Sequence, residues 1–132
     1  MKEVVDSRFL VEHYYSTETE TRQKTSKRLR ELIQHNEGLL PTVVIGETVQ
    51  TVCEKVGRQE AESCYLSLVA SGLRIQDLNQ EIARQAGLLK CRYRNVPMGD
   101  CVIASTALIN QARILSDDPH FDLMKETKRS WI

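Results

Sequence analysis

Apolar residues fall along this chain in short blocks, and the spacing within each block predicts the element it builds. Val4-Val5 before Asp6 reads as a short buried strand ending on a carboxylate. A helix then runs from Ser7 to about Tyr15, with Phe9, Leu10, His13 and Tyr14 at helical spacing. Ser16 to Thr21 is polar and unpatterned and reads as a mobile connection. The helix expected from about Arg22 to Gln34 has a narrow late stripe of Leu29, Leu32 and Ile33 on an otherwise basic surface. Leu39 to Val44 is a continuous apolar run, the pattern of a parallel strand covered on both faces.

Two helices follow. The first carries Ile45, Val49, Val52, Cys53 and Val56 on one face and ends at Gly57. The second, from about Gln59 to Ala70, aligns Ala61, Cys64, Tyr65, Leu68 and Val69, with Gly72 as its carboxyl cap. Leu73 to Leu78 alternates apolar and polar residues, as a strand near the sheet edge does. Helix resumes from Asn79 to about Tyr93. Pro97-Met98-Gly99-Asp100 opens a last helix, Cys101 to Ala112, that is apolar nearly all round and therefore buried. Arg113 to Ser116 is the fourth strand, and Ser130-Trp131-Ile132 can add a fifth at the edge. Strands alternating with helices predict βαβ units. The expected fold is a three-layer α/β/α domain over residues 1–132 with a parallel sheet of four to five strands.

Charge narrows the functions open to this fold. Lys plus Arg and Asp plus Glu number 18 each, so the net charge is zero, which excludes retention on nucleic acid by bulk charge alone. The first residues lack the apolar core of a secretory signal, and no apolar run approaches the roughly 20 residues of a membrane span. The expectation is a cytoplasmic protein with no membrane contact. Cys53, Cys64, Cys91 and Cys101 include no C-x-x-C pair. Cys53 and Cys64 fall on apolar stripes and read as small hydrophobes.

Four acidic residues change the picture, because each falls where a strand or helix junction meets one edge of the predicted sheet. Asp6 follows strand one and Asp118 follows strand four. Glu47 is expected in the first turn of the helix after strand two, and Asp100 in the first turn of the buried helix. Ligands bind at this carboxyl edge in open parallel sheets. Taken singly, Asp100 reads as a helix cap, Glu47 as dipole complementation and Asp118 as turn chemistry. Taken together, two such charges about 4 Å apart repel by roughly 4 kcal/mol at an effective dielectric near 20, so either several are protonated or a divalent cation sits among them. Oxygen ligands suit Mg²⁺ or Mn²⁺, and the chemistry that follows is phosphodiester hydrolysis. His120 reads as a turn residue beside the site, with metal ligation as the sharper alternative. The cluster Arg84, Lys90, Arg92, Arg94 with Tyr93 reads either as a groove for single-stranded RNA, through Arg92, Tyr93 and Arg94, or as a solvated helix face.

These residues form motifs that resemble the PIN domain family, the fold of VapC-type toxins and related nucleases. Val4-Val5-Asp6-Ser7 resembles its first motif and Thr42-Val43-Val44-Ile45-Gly46-Glu47 its second. Val96 to Ala107, with Asp100 opening an Ala-rich helix, resembles the third, and Ile114-Leu115-Ser116-Asp117-Asp118-Pro119-His120-Phe121 the fourth. The last two are the most specific. The resemblance implies a metal-dependent endoribonuclease, the toxin of a toxin–antitoxin pair. It further implies Mg²⁺ or Mn²⁺ on Asp6, Asp100 and Asp118, with Glu47 as ligand or water-orienting base. Ser116 supports the site by hydrogen bonding, and Asp117 and Asp122 stand as outer ligands. RNA substrate, an antitoxin protein and, with the apolar faces of the first helices, a homodimer are the implied partners. The alternative is a PIN-like scaffold that binds RNA or protein without cutting; an acidic quartet disfavours it, since a scaffold has no reason to gather repelling carboxylates.

Overall fold

A computed structural model describes all of residues 1–132. Five strands form one parallel sheet in the order β3-β2-β1-β4-β5: β1 is Glu3–Val5, β2 Gly38–Pro41, β3 Arg74–Gln76, β4 Arg113–Leu115 and β5 Arg129–Ser130. The chain builds outward from β1 through β2 to β3, then crosses back to lay β4 on the other side of β1. Right-handed crossovers put the two connections made on the outward path on one face and the return connection on the other. The outward connections are α1 (Ser7–Tyr15) with α2 (Thr19–Gln34), and α3 (Thr42–Lys55) with α4 (Arg58–Val69); the return is α5 (Gln80–Arg92) with α6 (Met98–Ile109). Strand order reverses between β1 and β4. The three-layer parallel architecture is as expected.

Val4, Val5, Leu39, Leu40, Ile114 and Leu115 fill the sheet's buried positions. Phe9 and Leu10 from α1, Leu68 from α4, Ile82 from α5, Ile103 from α6 and Phe121 close the core around them. Each such side chain contributes about 1.5–3 kcal/mol on burial. Every residue of α6 from Asp100 to Ala107 is buried, which is why this helix lacks a polar face.

Several boundaries differ from expectation. The second strand ends at Pro41, and Thr42 to Val44 already belong to α3. Pro41, with φ −65° and ψ 143°, is the residue before the helix, and beyond it helical burial of Val44, Thr48 and Val52 overrides the β-preference of Val43-Val44. The buried stripe of α3 is therefore Val44, Thr48 and Val52; Ile45 and Val49 lie half-buried beside it, and Cys53 and Val56 are exposed. Glu47 consequently stands in the second turn rather than the first. The supposedly mobile polar stretch is helical from Thr19 onward. The expected apolar faces of the first helices point into the core. Tyr65, Leu66 and Val69 of α4, with Ile75 and Leu78 near the β3 edge, are among the large apolar side chains left in solvent.

At the amino edge of the sheet sits a carboxylate that hydrophobic patterning does not distinguish. Glu3 is 1% exposed within β1. Arg28 of α2 donates to its Oε1 at 2.6 Å, Arg113 of β4 lies 3.4 Å from Oε2, and the Ser130 hydroxyl donates to Oε2. One charge thus ties α2, β4 and β5 to the central strand. Glu3→Ala strands two arginines that remain partly wet, so the expected loss is about 3 kcal/mol in denaturant unfolding, the lower end for breaking a buried pair. A change below about 0.5 kcal/mol would show that the cluster contributes nothing net.

Candidate metal centre

The strand-order reversal leaves a crevice beyond the carboxyl ends of β1 and β4, and the pairing of these strands continues to its floor. The Asp6 N–H donates to the Leu115 carbonyl at 3.2 Å. One residue further on, the Ser116 N–H donates to the Ser130 carbonyl of β5 at 3.0 Å. The Ser116 hydroxyl donates to Asp6 Oδ2 at 2.6 Å and accepts the Asp118 N–H at 3.0 Å. Ser116 is fully buried and Asp6 is 3% exposed. A single hydroxyl therefore fixes one carboxylate directly and the backbone of a second.

Asp118 begins the 3-10 turn Pro119–Leu123, where its Oδ1 accepts the His120 N–H at 2.9 Å. That turn brings the imidazole back over the crevice. His120 Nδ1 lies 3.2 Å from Asp100 Oδ2 and 3.4 Å from Asp118 Oδ1. Asp100 is the third residue of α6, which follows Pro97 without a side-chain cap. Lys90 positions the loop before it by donating to the carbonyls of Arg94 and Val96. Glu47 reaches in from α3, over Gly99. A β-carbon at Gly99 would stand 2.8 Å from Glu47 Oε2, so the glycine leaves room for that carboxylate.

Electrostatics binds the four into one group. Burial, followed by the charges of Asp6, Asp100 and Asp118, pushes the Glu47 carboxyl up to about 7. Burial, followed by the charges of Asp118 and Asp6, pushes Asp100 up to about 6, against the opposing hydrogen bond from His120. Asp6 is also raised by burial, offset by the Ser116 hydroxyl. Carboxyls that hold protons near neutrality mark a place where negative charge lacks compensation. The atoms close enough to share one ion are an oxygen each of Asp100 and Asp118 and a ring nitrogen of His120, all within 4.8 Å of one another. Asp6 and Glu47 are linked to this group through their charges, and a set dominated by carboxylate oxygen suits a hard divalent cation such as Mg²⁺ or Mn²⁺.

The remaining sequence-predicted residues lie further out. Asp117 turns away to pair with Arg8, and Asp122 forms a two-point pair with Arg129 at 2.8 and 2.9 Å. Arg92 pairs with Glu126 and lies 5.3 Å from the Tyr93 ring centroid, while the Tyr93 hydroxyl donates to Glu126. These two and Arg94 line a depression with Asn95, Val96 and Leu123. Gly99 as spacer and Arg8 and Arg129 as cations at the rim escaped the sequence reading. Proximity to an acidic motif was the available signal for Gly99 and Arg8. For Arg129 there was none, since the fifth strand was expected over Ser130-Trp131-Ile132 and instead spans Arg129–Ser130.

No surface depression encloses the four carboxylates; those present lie over α2, α5 and the loop after α5, and at the amino edge. No helix is long and apolar enough to cross a membrane.

Comparison with known proteins gives this arrangement a context. No curated protein matches the sequence. Among solved structures, the chain is similar to one in VapBC2 from Rickettsia felis bound to a DNA fragment from their promoter. The TM-score is 0.81 at 17% identity, covering 100% of this chain and 99% of the other. It is similar as well to VapC20 of Mycobacterium tuberculosis, described as a sarcin–ricin loop cleaving toxin (TM-score 0.72, 16% identity, 94% and 95% covered). A third is in FitAcB from Neisseria gonorrhoeae (TM-score 0.71, 15% identity, 96% and 95% covered). At such identities the likeness establishes a shared fold. The model of the family described as PIN domain matches residues 4–126, and the chain belongs to that family.

Proposed function

We propose that this protein is a metal-dependent endoribonuclease of the VapC type, the toxin of a toxin–antitoxin pair. The single observation that carries the reading is the convergence of Asp6, Glu47, Asp100 and Asp118 from β1, α3, α6 and the turn after β4, where burial, with neighbouring charge adding to it, raises the proton affinity of Asp6, Glu47 and Asp100. Asp6, Asp100 and Asp118 are assigned as ligands of Mg²⁺ or Mn²⁺. Held there, a divalent ion would supply Lewis-acid polarisation of a phosphoryl oxygen and an acidified water. Glu47, whose carboxyl takes up a proton near neutrality, receives the proton of the attacking water. Ser116 keeps Asp6 and the Asp118 backbone in register. Asp117 and Asp122 are held by arginines and act from the rim, where Arg8 and Arg129 offer positive charge to a phosphate.

An open site rather than an enclosed cavity suits a polymer better than a small phosphate ester. RNA is the polymer favoured by the likeness to a sarcin–ricin loop cleaving toxin. Arg92, Tyr93 and Arg94 lie on the loop leading into α6 and are assigned to the RNA backbone. The likeness to VapBC2 and FitAcB supports an antitoxin partner. Exposed Tyr65, Leu66 and Val69 of α4 offer the apolar surface for a homodimer. Four free cysteines accord with a reducing cytoplasm.

Asp100→Asn removes a ligand charge while keeping shape. Cleavage of RNA should fall on the order of 100-fold or more, as loss of several kcal/mol of transition-state stabilisation requires, with the far-UV circular dichroism spectrum kept. Undiminished cleavage by the purified variant would remove the mechanism.

Gly99→Ala suits the helix, where alanine is favoured by about 1 kcal/mol, but its methyl displaces Glu47. The melting temperature should hold or rise while cleavage drops about tenfold, an effect of Glu47 misplacement. Equal activity in the variant would mean that Glu47's position is irrelevant.

The metal-free protein should lose stability as pH rises. Glu47 and Asp100 bind protons more tightly folded than unfolded, so between about pH 4.5 and 7 the native state carries extra protons, and stability present at low pH is lost as these groups ionise. Thermal melts in chelator should show a falling midpoint from pH 5 to 8, and saturating Mn²⁺ should flatten or reverse the slope. A chelator melt that rises through this range contradicts the crowding of charge.

A further inference from the structure

Resting on the metal site proposed above, the geometry points to His120 Nδ1 as a direct nitrogen ligand of the same ion, which would give this nuclease a preference for Mn²⁺ over Mg²⁺. Three observations carry it. The imidazole nitrogen and one oxygen each from Asp100 and Asp118 lie within 4.8 Å of one another. Two of the separations, 3.2 and 3.4 Å, are those of adjacent ligands on one ion. For bonds of about 2.1 Å, neighbouring donors stand about 3.0 Å apart in an octahedron and about 3.4 Å apart in a tetrahedron.

The second observation is that the ring is held there by backbone. Asp118 Oδ1 accepts the His120 N–H and Pro119 opens the turn, so His120 reaches the crevice without a long flexible stem. The third is the ring's remaining polar contacts. Its Nδ1 faces only the two carboxylates and Nε2 has no protein partner among the hydrogen bonds formed. Nδ1 is thus the nitrogen aimed at the site, and binding an ion there would exchange its hydrogen bond to Asp100 for a metal bond, with the ring proton on Nε2. An ion pair between imidazolium and the carboxylates is the competing account, and it predicts that the ring leaves when a cation enters.

The chemical consequence follows from donor softness. Mg²⁺ takes oxygen ligands and water at near-ideal octahedral geometry, whereas imidazole belongs to the ligand sets of the transition metals. Replacing one oxygen by nitrogen therefore discriminates between two ions that an all-carboxylate site accepts alike.

The test uses Mn²⁺ as the probe on the full chain. Pulsed electron paramagnetic resonance of the Mn²⁺ complex should show modulation from a directly bound ¹⁴N, replaced by the ¹⁵N pattern in protein labelled with ¹⁵N-histidine. His13 and His35 lie on α1 and at the end of α2, outside the crevice, so the signal reports His120. In calorimetry, His120→Ala and His120→Gln should weaken Mn²⁺ on the order of tenfold, the low end for disturbed metal sites, with Mg²⁺ weakened less than about threefold. The labelled wild-type spectrum decides the matter even where a variant does not fold. Bound Mn²⁺ without nitrogen modulation overturns the inference and leaves the carboxylate site standing. Failure of Mn²⁺ to bind at all overturns the underlying metal-site reading as well.

Discussion

The Ser116 hydroxyl bonds Asp6 across the junction of β1 and β4, and the acidic site depends on that contact. Four carboxylates repel, and nothing in a hydrophobic core holds them together. Each is delivered by an element whose position is set elsewhere: Asp6 by the buried central strand, Asp100 by a helix buried from Asp100 to Ala107, Glu47 by a helix packed beside β2, Asp118 by the turn leaving β4. The rigidity of these elements forces the charges into proximity. Burial, with the neighbouring charges adding to it, raises the proton affinity of Asp6, Glu47 and Asp100.

The two edges of the sheet handle buried charge in opposite ways. At the amino edge Glu3 is enclosed by Arg28, Arg113 and Ser130, so its charge is compensated within the protein and serves cohesion. At the carboxyl edge the nearest arginines, Arg8 and Arg129, are turned to Asp117 and Asp122. Of the inner carboxylates, Asp6 accepts the Ser116 hydroxyl, and Asp100 and Asp118 face the His120 ring. One acidic group is thus satisfied by arginines inside the fold, while the four at the opposite edge have no arginine among their hydrogen-bond partners. This asymmetry favours an enzyme over a passive scaffold.

Gly99 and His120 show how local backbone refines the site. Gly99 adds no atoms, and the space it leaves is filled by the Glu47 carboxylate. His120 follows a proline and is returned toward the crevice by a bond from its own N–H to Asp118. Both act through geometry of an ångström or less, the scale on which ligand sets are distinguished.

Much of this was legible in the residues alone, because burial imprints a period. Val4-Val5, the alternation Leu73 to Leu78 and the all-apolar α6 announced a parallel α/β sheet, and the strand and helix junctions placed Asp6, Asp100 and Asp118 at one edge. What the sequence could not decide were matters of competition and distance. Leu39 to Val44 is apolar throughout, so periodicity cannot divide it; packing of Val44, Thr48 and Val52 against the core did so at Pro41. The pairings of Glu3, Asp117 and Asp122, and the approach of His120 to Asp100, join residues that are remote in the chain or separated by a turn. Local pattern carries the faces of elements; only the assembled sheet brings their ends together, and contacts between charges are made at the ends.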